Sequence, residues 1–313
     1  MNVKLLLRIL VTAGLLAWLI LRTNAHELQD ALRHTRLEYW LAAVGLYMAI
    51  QTISGFRWQL LSKPLGFQRS VGQCIRFYFV GMFFNLFLPT SVGGDVVRAW
   101  YLDGGSGRKT KAFVSVLADR SSGLIVLLLL ACLGVALSPI PVERWITASV
   151  SCMGGFMVVG LILAPLLLGQ ARRFERIERL TDPLAVYFKL PQLMLLTTFL
   201  SLVIQAGNVV LVWLVGQAIG AAVPFSYYWI MVPLVTLLTL LPISLNGMGI
   251  REGSTILFLT PLGVNHATAL TLAVLWFAVG TTASLFGGLV YLAGGLSKPA
   301  SLRESEMEWK AAA

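Results

Sequence analysis

Long apolar stretches separated by short polar segments dominate this chain. About twenty consecutive apolar residues suffice for a helix to cross the hydrocarbon core of a bilayer. On that measure residues 5–21, 38–60, 113–137, 145–168, 192–216 and 267–294 are predicted transmembrane helices. Two further apolar regions, 71–98 and 225–259, are interrupted. In each, a run such as FYFVGMFFNLFLP or IMVPLVTLLTLLP meets a proline, then glycine and charge, then a second half-segment. Irregular backbone at membrane depth persists only where protein or a water-filled cavity satisfies its polar groups, so both regions are predicted to be re-entrant helical hairpins. The expected fold is an all-α polytopic membrane protein with about six transmembrane helices and two re-entrant hairpins.

The interruptions are related. LPTSVGGDVVR, Leu88 to Arg98, returns as LPISLNGMGIR, Leu241 to Arg251, at an offset of 153 residues. Leu88/Leu241, Pro89/Pro242, Ser91/Ser244, Gly94/Gly247 and Arg98/Arg251 coincide. The chain therefore reads as duplicated, with halves at about 1–140 and 141–298 of a single membrane domain covering 1–313, and 299–313 as a polar cytoplasmic tail. Each half has the order span, span, hairpin, span. An odd number of spans per half gives the halves opposite orientation, so the duplication is expected to be an inverted repeat with both hairpin tips near the bilayer centre, where transport sites lie.

Composition agrees with a membrane protein. Charged residues make up only 12% of the chain and apolar residues 57%, with a mean hydropathy of +0.80, whereas about a quarter of a soluble domain is charged. The formal charge of +10 reports Lys and Arg in cytoplasmic loops and against anionic lipid. Nucleic acid is not an expected partner, since no basic stripe is interleaved with aromatics. Lys63, Arg69, Arg108, Lys109, Lys111, Arg172, Arg173, Arg176, Arg179 and Lys189 are assigned to the cytoplasmic side, as are both termini. The start, MNVKLLLR and apolar residues to Leu21, resembles a signal peptide but lacks a clear small-residue cleavage site, so it is read as a retained first span. Residues 22–37 and 170–190 are expected to be amphipathic or loop connectors. Cys74, Cys132 and Cys152 show no disulfide or metal spacing, and no cofactor or metal is expected.

Charges within apolar segments carry the chemistry, because each costs about 2.5 to 3.5 kcal/mol at a helix centre even on the lenient insertion scale. Arg57, Arg76, Asp95, Arg98, Asp119, Arg120, Arg251 and Glu252 are of this kind. Arg98 and Arg251 follow the glycine turns of the two repeats, and a guanidinium is a rigid donor fork suited to phosphate or carboxylate. Backbone N–H groups freed at Gly93, Gly94, Gly247 and Gly249 would add to an anion site, with Asn246 beside them and the breaks at Pro89 and Pro242. The alternative is that Arg98 pairs with Asp95 and Arg251 with Glu252 as structural ion pairs. An Asp119–Arg98 cross-pair is geometrically open, and adjacent Asp119 and Arg120 each need a partner of their own. Asp95, Asp119 and Glu252 are the deep carboxylates available for proton coupling. Asn85, Thr90, Ser91, Ser244 and Asn246 flank the breaks, and most of them are expected to cap backbone groups locally. Trp58, Trp100, Tyr101, Tyr227, Tyr228 and Trp229 are expected in interfacial belts. No GxSxG, GxxxxGK or HExxH constellation is present, and no enzyme activity is expected.

At NLFLPTSVGGDVVRAWYL (Asn85 to Leu102), LADRSSGL (Leu117 to Leu124) and LPISLNGMGIREG (Leu241 to Gly253) the chain resembles the flippase-like family. That family is related to the transmembrane region of lysylphosphatidylglycerol synthase/flippase, the bacterial multiple peptide resistance factor. The motif positions carry over to Pro89, Gly93, Gly94, Asp95 and Arg98, to Asp119 and Arg120, and to Pro242, Asn246, Gly247, Gly249, Arg251 and Glu252. The resemblance implies lipid translocation in the bacterial inner membrane, without the aminoacyl transfer that a separate soluble domain performs. The expected substrate is a lipid with an anionic phosphate: a phospholipid, an aminoacyl-phospholipid or a polyprenyl-phosphate-linked lipid. Its arginine-held head group would cross as the hairpins repack. Membrane lipids are the expected partners, with homo-oligomers and a separate lipid-modifying enzyme as further expectations. A secondary transporter of a small soluble anion and a membrane-embedded lipid transferase are the competing readings.

Overall fold

A computed structural model describes residues 33–87, 93–137, 142–171, 175–241 and 243–293, together with Leu10, Ala13, Gly14, Leu15 and Leu19. Every regular element among them is helical: α1 (Leu37–Ser62), α2 (Val71–Phe87), α3 (Gly93–Asp103), α4 (Lys109–Ala136), α5 (Arg144–Ala171), α6 (Glu175–Phe188), α7 (Pro191–Ala218), α8 (Phe225–Thr239), α9 (Ile250–Leu259) and α10 (His266–Ala293). Short 3-10 turns follow α1 and α9 at Lys63–Leu65 and Thr260–Leu262.

Five of these helices are long and apolar enough to span a bilayer: Leu37–Leu65, Lys109–Ala136, Arg144–Ala164, Pro191–Ala218 and His266–Ala293. They coincide closely with the expected spans. The sixth, 5–21, falls largely outside the described residues, as do Lys4, Arg8 and Arg22. Of it, Leu19 is buried in the core, and Leu15 lies beside Gly249. Pro191 at the start of α7 lacks an N–H at a place where none is needed. The connector at 170–190 contains a helix, α6, and Tyr187 ties it to α1 by donating its hydroxyl to Leu61 O at 2.7 Å.

Both interrupted regions are helix pairs: α2 packs on α3, and α8 on α9. The prolines held responsible, Pro89 and Pro242, lie outside the described residues, as do Leu88, Thr90, Ser91 and Val92. The second break turns on three left-handed residues, Asn246 (φ 48°), Gly247 (φ 73°) and Gly249 (φ 83°). Glycine adopts that region freely and asparagine with little cost, whereas other side chains resist it.

The helices repeat at the offset of the sequence motif. Shifted by 153, α1, α2, α3 and α4 begin and end within four residues of α7, α8, α9 and α10. Their packing repeats too. The most extensive contact is between the counterparts α1 and α7. α2 leans on α10 and α8 on α4, α3 touches α4 and α9 touches α10, while α4 meets α7 and α10 meets α1. Exchanging the halves leaves this set of neighbours unchanged. α5 stays at the edge, with only 12% of its apolar window buried.

Two apolar cores result. One gathers Trp58, Leu61, Phe77, Val80 and Leu102 with the first part of α4, and the other gathers α7, α8 and α10 with the last part of α4. Trp58, Tyr101, Tyr227 and Tyr228 are all within these cores, at most 5% exposed, contrary to their expected place in interfacial belts. Each aromatic body fills core volume, and the Trp58 indole N–H still reaches Ser115 Oγ at 3.1 Å.

Candidate functional site

The deep charges fall into two unlike environments. In the first, α1, α3 and α4 bring five of them together. Asp119 sits between two guanidiniums: Arg57 donates from Nε to its Oδ1 at 3.0 Å, and Arg98 donates from Nη2 to its Oδ2 at 3.3 Å. Arg57 also reaches the Asp119 carbonyl at 3.1 Å and Ser201 Oγ on α7 at 2.6 Å. Asp95 lies 3.7 Å from Arg98 Nε and pairs with Arg120. Thus both structural pairs open to Arg98, with Asp95 and with Asp119, are formed. Neighbouring Asp119 and Arg120 point apart and find separate partners. The Arg98 guanidinium is further packed over Tyr78 and Trp58, 4.3 and 4.8 Å from the ring centroids. Arg57, Asp95, Arg98 and Asp119 are each 5% exposed or less. Arg76, by contrast, is exposed on α2.

Arg251 occupies the matching position in the second half and has a different life. Glu252 does not pair with it. Its carboxylate caps α9, accepting from the Gly249 N–H at 2.5 Å. Arg251 Nη2 donates to the Asn246 carbonyl at 3.3 Å, and Nη1, buried, has no hydrogen-bond partner among the described residues. Trp276 and Phe277 flank the guanidinium, at 5.8 and 5.0 Å. It lines a cavity of about 360 Å³ bounded by α1, α2, α7, α8, α9 and α10, hence by helices of both halves. Among the described residues no carboxylate lines it. The polar lining is neutral: Gln51, Asn85, Asn208, Thr236, Thr239 and others.

The offset of 153 explains the contrast. Arg251 is the counterpart of Arg98, but the counterparts of Arg57 and Asp95 at that offset are Val210 and Met248, and α10, which begins and ends 157 residues after α4, places Trp276 and Phe277 where α4 has Asp119 and Arg120. One half kept the arginine with its counter-charges, the other without them. A buried cation with neither a paired acid nor full hydrogen bonding is costly.

Two of the four glycine N–H groups expected in an anion site are taken by side chains. Gly94 N–H is taken by Asn85 Oδ1 at 2.7 Å and Gly249 N–H by Glu252, so these helix starts are capped by the protein itself. Gly94 also allows α2 and α3 to touch, since a Cβ there would come within 2.7 Å of Asn85 Cγ. Gly93 begins α3. Asn246, expected to cap locally, instead donates from Nδ2 to the carbonyl of Asn85 at 2.9 Å, across 161 residues of sequence. The chain Gly94, Asn85, Asn246, Arg251 thereby links the two breaks. Ser244 Oγ is buried with no partner among the described residues.

Sequence reasoning passed over Tyr47, Gln51, Asn208, Thr236 and Trp276. A signal was present, because Gln51 and Asn208 are amides within apolar spans. Of the three histidines, His34 and His266 are exposed and His26 lies outside the described residues. No group of three or more His, Cys, Asp or Glu is assembled among the described residues.

Fold and site define a class: an all-helical polytopic membrane protein with a polar, arginine-bearing cavity between its two halves. The chain belongs to the family of the lysylphosphatidylglycerol synthase TM region, whose model matches residues 5–288. It is similar to a UPF0104 membrane protein of Methanothermobacter thermautotrophicus, 27% identical in an alignment 295 residues long that takes in 83% of this chain and 87% of that protein. No solved structure matches it.

Proposed function

We propose that this protein is a flippase, moving a lipid with an anionic phosphate head across the cytoplasmic membrane. The observation that carries the reading is Arg251, a deep guanidinium with no carboxylate partner, lining a cavity bounded by helices of both halves. A phosphate in that cavity would provide the missing charge in a bidentate geometry suited to a guanidinium. Acyl chains would remain in lipid beside the helices. Support for the class of molecule comes from the family, named for the transmembrane region of a phospholipid synthase.

In this reading the halves are an inverted repeat and the pairs α2/α3 and α8/α9 are re-entrant hairpins. The neighbour set that survives exchange of the halves supports the first assignment. The shortness of α2 and α8 beside the five spanning helices supports the second. Inverted symmetry makes an inward-open and an outward-open packing similar in energy, which is what alternating access requires. The protein would act without covalent catalysis, with the basic loops on the cytoplasmic side. The ion network around Asp119 is then a fixed structural element, and the phosphate is held by Arg251 alone rather than by both motif arginines.

The test is reconstitution into liposomes with labelled phospholipids and polyprenyl phosphates, following leaflet access for the wild type and Arg251→Ala. Expected is lipid movement that falls about tenfold or more in the variant while its helical content is unchanged. Absence of movement for every lipid, with and without a proton gradient, would overturn the proposal in favour of a soluble-anion transporter or an enzyme.

A further inference from the structure

One residue joins the two broken helix pairs to each other and to Arg251. We propose that Asn246 is a positioning residue for transport: it holds Arg251 ready for a phosphate while the two breaks stay together, and the hold is lost when they part. This deepens the flippase reading and rests on it.

Among the described residues Asn246 is the one non-glycine residue in the left-handed region, with φ 48°. From that turn it serves two partners. Its Nδ2 donates to the Asn85 carbonyl at 2.9 Å, and its own carbonyl accepts from Arg251 Nη2 at 3.3 Å. The first acceptor is one that its own helix leaves without a donor. Asn85 lies in the last turn of α2, and four residues on, at 89, the sequence has a proline, which carries no N–H. Asn246 supplies that donor from the other half of the chain. Elsewhere the two pairs keep apart. α2 packs on α1, α3 and α10, and α8 on α4, α7 and α9, with no extensive contact, among the described residues, between a helix of one pair and a helix of the other. The repeat gives no second copy of the tie, because the first motif has Gly93 in the place of Asn246.

The tie sets the place of the guanidinium. Arg251, Asn246 and Asn85 line the same cavity. With Nη2 held by Asn246, Arg251 keeps Nη1 without a hydrogen-bond partner among the described residues and available to an anion. A long side chain tethered in this way loses less freedom on binding than a free one. When the pairs part, Asn246 gives up Asn85, and the turn that carries the Arg251 tether is released. A ligand that binds one packing more tightly shifts the equilibrium toward it by that difference, and the parted packing binds more weakly by the same factor. Loading and unloading then follow from one hydrogen bond, weak enough to break in each cycle. The chemistry recognised is an anionic phosphate, whether on a lipid or free.

The experiment places nitroxide labels on Phe87→Cys, at the end of α2, and Leu240→Cys, just after α8, both exposed, in the full-length protein with Cys74→Ala, Cys132→Ala and Cys152→Ala. Their separation is read by electron–electron double resonance in neutral detergent, without ligand, with short-chain phosphatidic acid and with inorganic phosphate. Affinities are measured by calorimetry. Asn246→Gly keeps the left-handed turn and the carbonyl that receives Arg251, but has no side chain to reach Asn85. Expected is a ratio of long to short separation about fivefold higher than in the wild type, the equilibrium weight of one net hydrogen bond. Affinity for phosphatidic acid should fall by the fraction of the short-separation population that is lost, and adding the lipid should restore that separation. Should Asn246→Gly fail to fold, Asn246→Asp, which keeps the size but offers the Asn85 carbonyl no donor, is read by separation alone. An unchanged separation in the variant, with or without a loss of affinity, overturns the inference and leaves the flippase reading standing. Recovery of the short separation by inorganic phosphate, with no binding of phosphatidic acid, upholds the positioning role and overturns the lipid as its source. If the wild type binds neither, both fall.

Discussion

Asp119→Asn and Arg251→Gln both remove one charge from a deep site, yet the structure gives them opposite consequences for stability. Asp119 is 1% exposed and is the carboxylate shared by Arg57 and Arg98. The amide has the same shape but no charge, so two guanidiniums, 4% and 5% exposed, lose their common counter-ion. Only Asp95 remains near, 3.7 Å from Arg98 and already paired with Arg120. Removing one partner from a buried ion pair costs about 3 to 5 kcal/mol. At about 2 °C per kcal/mol, the value for larger chains, the midpoint of unfolding should fall by roughly 6–10 °C. Arg251→Gln removes a cation that has no acidic partner among the described residues. The desolvation penalty of that charge disappears with it, so the midpoint should stay level or rise by about 1 to 2 °C. The assay is thermal unfolding of each purified variant in one detergent, read by tryptophan fluorescence. A double variant, Asp119→Asn with Arg98→Gln, should recover part of the loss, a coupling of about 0.5 to 3 kcal/mol, because it withdraws one of the stranded cations. A fall in Arg251→Gln as large as that in Asp119→Asn would refute the distinction between a paired and an unpaired arginine. So would an unchanged midpoint in Asp119→Asn.

Two further outcomes follow from packing and capping. In Gly81→Ala, the new methyl would meet Arg98 Cγ at 2.5 Å and the Gly94 carbonyl at 2.9 Å, forcing α2 from α3 at a cost of about 1 to 3 kcal/mol; Gly253→Ala, with nothing within 4 Å, should be neutral or stabilising in the same unfolding assay. Glu252→Ala deprives the Gly249 N–H of its acceptor and should cost about 0.5 to 2 kcal/mol; it also withdraws a negative charge that acts on Arg251, so phosphate binding should stay level or tighten, and a fall in lipid binding as large as that of Arg251→Gln would place Glu252 in the site after all.

Much of the architecture was legible along the chain because apolar length is a local property. A bilayer demands it of each span separately, and the five described spans begin and end within a few residues of where the apolar stretches do. The interruptions were legible for the same reason, as was the relation of the helices at a shift of 153. The set of chemically unusual residues was equally plain, since deep charges are rare and costly. Their grouping was another matter. That Asp119 would hold Arg57 and Arg98 at once, that Asn246 would reach Asn85, and that Trp58 would lie beneath Arg98 depend on helices far apart in sequence coming into contact. Spacing within one helix does not encode such distances. The two motif arginines looked equivalent because the repeat conserves them; they differ because their neighbours come from other helices, and those neighbours changed between the halves. Sequence by itself determined the membrane environment, the broken helices and the arginines, while tertiary packing decided which arginine is neutralised by protein and which faces a cavity, since charge compensation depends on separations of a few ångströms between residues up to 62 positions apart.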